Sequence, residues 1–182
     1  MSKSIAVFEF KSISKGIEVT DIMVKLADVN VFHYRVICPG RLLVILEGNE
    51  DSVKAAFKRG NESGSGQILD SSIISSVHSD ITQSLKSRIN KGLIEGAVGL
   101  FETITISSGI KALDKTLKGG NLTLIKLQIA SGISGRMVFT VSGDVSDVEQ
   151  GIKSGIEAIE ARRIINTSII RSPDEMILKY LN

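Results

Sequence analysis

The chain has 182 residues, of which 42% are hydrophobic and only 4% are aromatic, with no tryptophan. Its 22 basic and 20 acidic residues leave a formal net charge of +2, which argues against a nucleic-acid-binding surface. No apolar run approaches the roughly 18 residues of a membrane span, and charged residues interrupt the N-terminal segment too early for a signal peptide. We therefore expect no nucleic-acid or membrane partner and a cytoplasmic location, where a lone thiol stays reduced.

The first half of the chain is predicted to contain a strand, a helix, two strands, a helix and a strand, in that order. Ser14 and Asn49 are expected to cap the two helices. The predicted elements are a strand at 4–10, a helix from the Ser14 cap to about 27, strands at 29–37 and 42–48, a helix after 49, and a strand at 68–77. Apolar residues lie on more than one side of the first helix, so we expect it to pack against the sheet and against a second surface.

The second half of the chain repeats the first. The segment AVFEFKSISKGIEVTDIMVK at 6–25 matches GLFETITISSGIKALDKTLK at 99–118 without gaps. Further on, PGRLLVILEGNEDSV matches SGRMVFTVSGDVSDV, but the offset has grown by two residues, so the second copy has a longer loop between its second and third strands. Such a repeat means two copies of one structural unit.

The repeat defines the fold class and the domains. A helix at 80–91 and a linker at 90–96 join the copies, and a terminal helix is predicted at 173–181. The βαββαβ order of each copy is the ferredoxin-like arrangement, an α+β fold. We therefore predict two tandem domains, at 1–92 and 93–182.

The main candidate for a functional segment is the turn Ile37-Cys38-Pro39-Gly40-Arg41, which lies between two strand-like runs. A Cys-Pro-Gly turn places the only thiol of the chain at the tip of a hairpin. One cysteine can form neither an internal disulfide nor a complete metal site. Cys38 is therefore either a small buried apolar residue or a ligand that acts together with copies of itself from other chains.

The other polar candidates have a structural interpretation. Glu9 and Glu102 occupy the same position in the two copies, so we expect them in separate domains and in structural roles. His33 and His78 belong to no cluster with ligand spacing. Arg41 and Arg136, beside the two turns, are either solvated hairpin residues or a ring of positive charge. The sequence has no nucleotide-binding loop, CxxC motif or Ser-His-Asp set, so nothing in it indicates an enzyme.

Several segments resemble one known family. They are Ala6–Glu9, the helix end at 21–31, the strand RLLVILEG at 41–48 and Gly-Asp-Val-Ser-Asp-Val at 143–148. Together they are similar to the domains of bacterial microcompartment (BMC) shell proteins. Two such domains, with Ile-Cys-Pro-Gly in the first loop, look most like the tandem-domain, PduT-type shell proteins of propanediol-utilisation compartments.

The resemblance implies an assembly. Shell proteins of this type form flat tiles in the shell of a compartment within the cytoplasm, and a tandem protein does so as a pseudo-hexameric homotrimer. The turns between the second and third strands line a central pore, at 37–41 in the first domain and at 131–136 in the second. The pore-lining residues of the second turn would be Ser131, Gly132, Ile133, Ser134 and Gly135.

The resemblance also implies a cofactor and partners. Cys38 of three chains would hold one [4Fe-4S] cluster, with a fourth ligand that the sequence does not name. The cluster would serve electron transfer across the shell or delivery to encapsulated redox enzymes. Lys25, Lys118 and Arg171 match residues at tile edges that meet other shell proteins. The Pro-Arg-Pro-His edge motif of the family is poorly kept, at 75–78 and at 171–174.

Two alternatives remain open from the sequence. The tile could have an open or gated metabolite pore with Cys38 as a free thiol and no cluster. The chain could instead be a ferredoxin-like regulatory trimer that binds a small effector between its subunits.

Overall fold

The computed structural model describes residues 3–87, 93–129 and 132–181, and these residues divide into two compact units. The first unit consists of described residues 3–77 together with 132–135. The second consists of 78–87, 93–129 and 136–181. The domain boundary predicted at residue 92 falls at the edge of the segment 88–92, which lies outside the described residues.

The first unit is one antiparallel sheet with two helices. Its elements are β1 (Ser4–Phe10), α1 (Ile13–Leu26), β2 (Val29–Ile37), β3 (Arg41–Gly48), α2 (Glu50–Ser63) and β4 (Ile68–Ile74). The strands lie in the order β2-β3-β1-β4, which is the ferredoxin-like order, so the predicted fold class is confirmed. The last strand ends at Ile74, earlier than the predicted residue 77.

Short polar side chains cap the N-termini of both helices in the first unit. The Ser12 hydroxyl accepts a hydrogen bond from the Lys15 amide at 3.3 Å and caps α1. The prediction that Ser14 is the cap was wrong, because Ser14 already lies inside the first helical turn. The Asn49 side chain accepts from the Ser52 amide at 2.8 Å, which confirms it as the cap of α2.

The core of the first unit lies between the sheet and the two helices. Phe8 stacks on Phe10 with ring centroids 5.7 Å apart and meets Phe57 at 5.4 Å. Met23 of α1 and alternate residues of β3 complete this layer. The central strand β1 is buried along its whole length, so the hairpin of β2 and β3 rests on a fully packed strand.

The second unit repeats this topology. It contains α3 (Ser79–Ser87), β5 (Ala97–Thr103), α4 (Ile106–Lys118), β6 (Thr123–Ile129), β7 (Met137–Gly143), α5 (Val145–Glu157), β8 (Ile164–Ile170) and α6 (Glu175–Leu181). The sheet order is β6-β7-β5-β8. The copies agree even in an irregularity, since β2 and β6 both shift register at the matching position, between Val31 and His33 and between Leu124 and Lys126.

Two helix predictions differ from the structure in their bounds. The helix predicted at 80–91 is seen from Ser79 to Ser87, and the remainder of that prediction lies outside the described residues. The terminal helix begins at Glu175 rather than at Pro173. None of the helices in the described part of the chain is long and apolar enough to cross a membrane.

Helix α3 packs against α4 and β6 of the second unit. Its apolar residues Ile81 and Leu85 are buried there. At the start of α3 the His78 amide donates a hydrogen bond to the Asp114 carboxylate at 2.9 Å, and Lys118 pairs with the other oxygen of Asp114 at 2.6 Å. Asp114 therefore joins α3 to α4 through a buried carboxylate.

Asp114→Ala is expected to lower the free energy of unfolding of the second unit by about 1.5–3 kcal/mol, because it removes charge-assisted hydrogen bonds at a buried position. The matched control is Asp21→Ala, the equivalent residue of the first repeat, whose pair with Lys25 at 2.6 Å is exposed. That change should cost less than about 1 kcal/mol in the isolated chain. Denaturant unfolding at low protein concentration measures both, and equal losses would contradict the prediction.

Candidate functional site

The Cys38 turn closes the hairpin between β2 and β3. Ile37 and Arg41 face each other as the last pair of the ladder, so Cys38, Pro39 and Gly40 form the tip. The Cys38–Pro39 peptide is cis, and Gly40 has φ +73°, in the left-handed region that glycine adopts without strain. The prediction of a turn with the thiol at its tip is confirmed.

The side chains of this turn differ in exposure. Cys38 is a free, exposed thiol, and Pro39 and Gly40 are also exposed. Nothing lies within 4 Å of the position where a Cβ on Gly40 would stand. Ile37, by contrast, is buried, so of the predicted pore-lining residues it belongs to the core of its unit. The exposed surface of the turn consists of the thiol, the proline ring and the glycine backbone.

The turn at 132–135, between β6 and β7, belongs to the same compact unit as the Cys38 turn. Gly135 is buried at φ +75°, and a Cβ added there would collide with the carbonyl oxygen of Cys38. The Arg41 guanidinium would be 3.6 Å from the same Cβ. The structure therefore brings Cys38, Arg41 and Gly135 together.

The remaining residues of the second turn are exposed or half-buried. Gly132 and Ser134 are exposed with positive φ, at +74° and +53°, and Ile133 is half-buried. Ser131, also predicted to line the pore, lies outside the described residues. The second turn thus presents small polar groups and backbone to solvent.

Gly135→Ala is expected to destabilise the first unit more than Gly132→Ala does. Both changes place a Cβ at positive φ, which costs roughly 1–2 kcal/mol. Only the Cβ at position 135 also meets backbone, and such overpacking adds about 1–3 kcal/mol. Denaturant unfolding of the two variants tests this, and equal losses would mean that the two turns do not pack together.

Among the described residues, Cys38 has no partners in its own chain with which it could complete a metal site. Across residues 3–87, 93–129 and 132–181, no three side chains of His, Cys, Asp or Glu come together in a way that could hold a metal ion. An exposed thiol beside an unobstructed glycine backbone, with a guanidinium in the same turn, fits a ligand for an anionic iron–sulfur cluster only if further thiolates come from other chains.

The predicted edge residues all take part in ion pairs. Lys25 pairs with Asp21, Lys118 pairs with Asp114, and Arg171 pairs with Glu149 at 2.8 Å. The two aspartates were missed by the sequence reasoning, although an Asp four residues before a Lys on a helix is a recognisable pairing pattern. Of the other candidates, Glu9 is buried in β1, and His78 contributes its backbone amide at the start of α3.

Comparisons with known proteins agree on one family. The model of the BMC domain matches residues 4–77 and again 97–173. The chain is 32% identical over 182 residues to the bacterial microcompartment shell protein PduT of Citrobacter freundii, covering 100% of this chain and 98% of that protein. A carboxysome shell protein, CcmK3 of Synechocystis, is 33% identical over 89 residues, 47% of this chain and 84% of the relative. A crystal structure of a microcompartment protein from Desulfitobacterium hafniense superposes with a TM-score of 0.82 at 30% identity, over 98% of this chain and 99% of that one.

Proposed function

The chain belongs to the bacterial microcompartment domain family and is a structural protein of a microcompartment shell, and from that premise we propose that three copies form a tile with one [4Fe-4S] cluster at its centre. Cys38 of each copy would supply one ligand. The observation that supports this proposal is that the only thiol of the chain, on Cys38, is exposed at the tip of a hairpin.

The number of ligands supports three copies. A [4Fe-4S] cluster is normally held by four cysteine thiolates, and one chain of this protein has one cysteine. Three chains around a threefold axis would supply three thiolates, and the fourth iron would take a small ligand or a group from a partner. Bound in this way, the cluster would supply one-electron transfer.

The residues around Cys38 suit such a site. The open backbone at Gly40 lets three turns approach one another closely. Pro39 restricts the turn, so less conformational entropy is lost when the three turns meet. Arg41 places a positive charge at the base of the turn, where it offsets the negative charge of a thiolate-bound cluster.

The proposed role of the tile is to pass electrons across the shell, or to deliver a cluster to redox enzymes that the shell encloses. As a member of a family of shell proteins, the tile would assemble with other shell proteins. Lys25, Lys118 and Arg171 would take part in edge contacts with neighbouring tiles. Lys25 and Arg171 are exposed, and each is held by an ion pair on its own unit.

Reconstitution tests the proposal. The protein is purified without oxygen, incubated with iron and sulfide, desalted, and analysed for iron, visible absorption and the EPR of its reduced form. We expect about 4 iron atoms per three chains, broad sulfur-to-iron absorption, and a native mass of three chains. Intact three-chain particles that bind no iron would show that the proposed cluster is wrong, while the proposed three-chain tile would still hold.

A second candidate function is a tile whose pore passes small metabolites, with Cys38 as a free thiol. The exposed Gly132 and Ser134 of the second turn favour it, because they present small polar groups where the family has its pore. Solute flux through reconstituted shells that contain iron-free protein would distinguish this function from the redox tile. Because the relatives are shell proteins, a tile is favoured over an effector-binding regulatory trimer.

A further inference from the structure

We propose that Gly135 of the second repeat is a positioning residue for Cys38. The turn at 132–135 holds the backbone of the Cys38 turn and thereby fixes where the thiol stands. Because Cys38 is the ligand of the proposed cluster, this role rests on the proposed function. The second repeat has no thiol of its own, and its part in the site is to direct the thiol of the first.

The Cys38 thiol lies just beyond the last backbone pair of its own hairpin. The ladder between β2 and β3 ends at the pair of Ile37 and Arg41, and Ile37 is buried. Cys38, Pro39 and Gly40 follow this anchor and are exposed. The direction of the thiol therefore depends on what else contacts the tip of the turn.

That contact comes from the second repeat. Gly135 lies between β6 and β7, and the described part of this turn belongs to the same compact unit as Cys38. A Cβ added to Gly135 would collide with the Cys38 carbonyl oxygen and would stand 3.6 Å from the Cys38 carbonyl carbon. The Gly135 backbone is thus packed directly on the Cys38 backbone.

The equivalent glycine of the first repeat lacks this contact. Gly40 and Gly135 correspond, because each is followed by the arginine that ends its turn. Both have positive φ, +73° and +75°, which glycine adopts without strain. Gly40 is exposed with nothing within 4 Å of an added Cβ, whereas Gly135 is buried. The turn conformation accounts for glycine at both positions, and contact with Cys38 is a further constraint at position 135 alone.

The backbone of the second turn follows a constrained path to this contact. The turn spans 130–136 between its strands, whereas the first turn spans 38–40. Gly132, Ser134 and Gly135 all have positive φ, and for Ser134 that region is unfavourable. Non-glycine residues keep such conformations where the surrounding structure fixes them, often at functional sites. The conformation of the longer turn is therefore fixed by its surroundings, as a positioning element requires.

Arg41 borders the same contact. Its guanidinium would be 3.6 Å from the Cβ added to Gly135, and its side chain is half-buried. Arg136, the equivalent residue, is exposed. A side chain at position 135 would therefore displace the Cys38 backbone and also approach the positive charge beside the thiol.

The first test measures the geometry of the reconstituted site. Gly135→Ala should shift the EPR g values of the reduced protein, because displaced thiolates change the arrangement of ligands around iron. Gly132→Ala is the matched control and should leave the g values in place, since position 132 has the same positive φ but open space around it. A merely structural effect of Gly135→Ala would lower the number of folded molecules, and thus the height of the signal, without shifting it.

The second test uses the full-length, iron-free protein. Cys38 is the only cysteine, so alkylation by iodoacetamide reports on this thiol alone. Without support from the second turn the Cys38 turn moves more freely, and the rate in Gly135→Ala should rise about fivefold or more. The rate in Gly132→Ala should stay within about twofold of the unchanged protein. Circular dichroism checks that both variants remain folded.

A second pair of variants covers the case in which Gly135→Ala does not fold. Gly135→Asn then takes its place, because asparagine adopts positive φ more readily than alanine. It still places a Cβ against the Cys38 carbonyl. Gly132→Asn becomes the control, and the two measurements are unchanged.

The outcomes separate this role from the proposed function. If the unchanged protein binds the cluster and the g values stay in place in the variant at position 135, Gly135 does not position Cys38 and the cluster still stands. If the unchanged protein binds no iron, the proposed cluster is wrong, and the alkylation rate alone decides. Equal rates for the variants at positions 135 and 132 would then overturn the role of Gly135.

Discussion

Cys38→Ser is expected to abolish iron binding by the reconstituted protein and to leave its assembly unchanged. A serine hydroxyl does not replace a thiolate as a cluster ligand at neutral pH, and the chain has no second cysteine. Cys38 is exposed at the tip of its turn, so the change of one atom leaves the core untouched. Iron analysis and the EPR of the reduced protein measure the loss, and native mass measures the assembly.

The control for this change is Ser134→Ala in the second turn, which alters an exposed residue beside the same site and leaves the thiol. It should keep the full iron content and the absorption spectrum. Iron retained by Cys38→Ser at the level of the unchanged protein would mean that the metal binds elsewhere, and Cys38 would then be an ordinary thiol.

Phe8→Ala is expected to lower the free energy of unfolding of the first unit by about 3–5 kcal/mol. Phe8 is fully buried in the central strand and contacts the rings of Phe10 and Phe57. Its removal leaves a cavity between the sheet and α2, since the Phe8 ring also lies against Gly60 of that helix. The hairpin that carries Cys38 pairs with this strand, so the candidate site should be lost together with the core.

Denaturant unfolding followed by circular dichroism measures this effect. The control is Ile156→Ala on α5, whose side chain is 40% exposed and which should cost less than about 1 kcal/mol. A loss of that small size for Phe8→Ala would show that the packing around Phe8 does not hold the first unit together.

The helices and strands were predicted well from the sequence because the repeat shows the pattern of each element twice, once in each half of the chain. The bounds of β1 and β2 agree with the prediction at every residue. The start of α1 was wrong because Ser12 and Ser14 are both good caps, and the choice between them depends on where the backbone turns into the helix. A second surface for α1 was predicted from its apolar residues, and in one copy Ile17 and Leu26 are indeed exposed.

The candidate site could be predicted only in part. The Cys-Pro-Gly turn is a local pattern, and local patterns determine tight turns. The close approach of Gly135 to the Cys38 carbonyl is a contact between distant parts of the chain, and neither segment contains a pattern that names the other. Burial of Ile37 was likewise missed, because strand alternation does not say which face of the last ladder pair is covered.

The contact of α3 with the second unit has a consequence for how a ring would form. Because it is made within one chain, it arises at an effective concentration set by the polypeptide and is insensitive to dilution. Only the contacts between chains would then depend on how much protein the cell contains. The ratio of three-chain rings to free chains would fall with the square of the concentration, whereas a ring of six separate units would follow the fifth power. Fusion of two units in one polypeptide would thus favour formation of the proposed tile at low abundance.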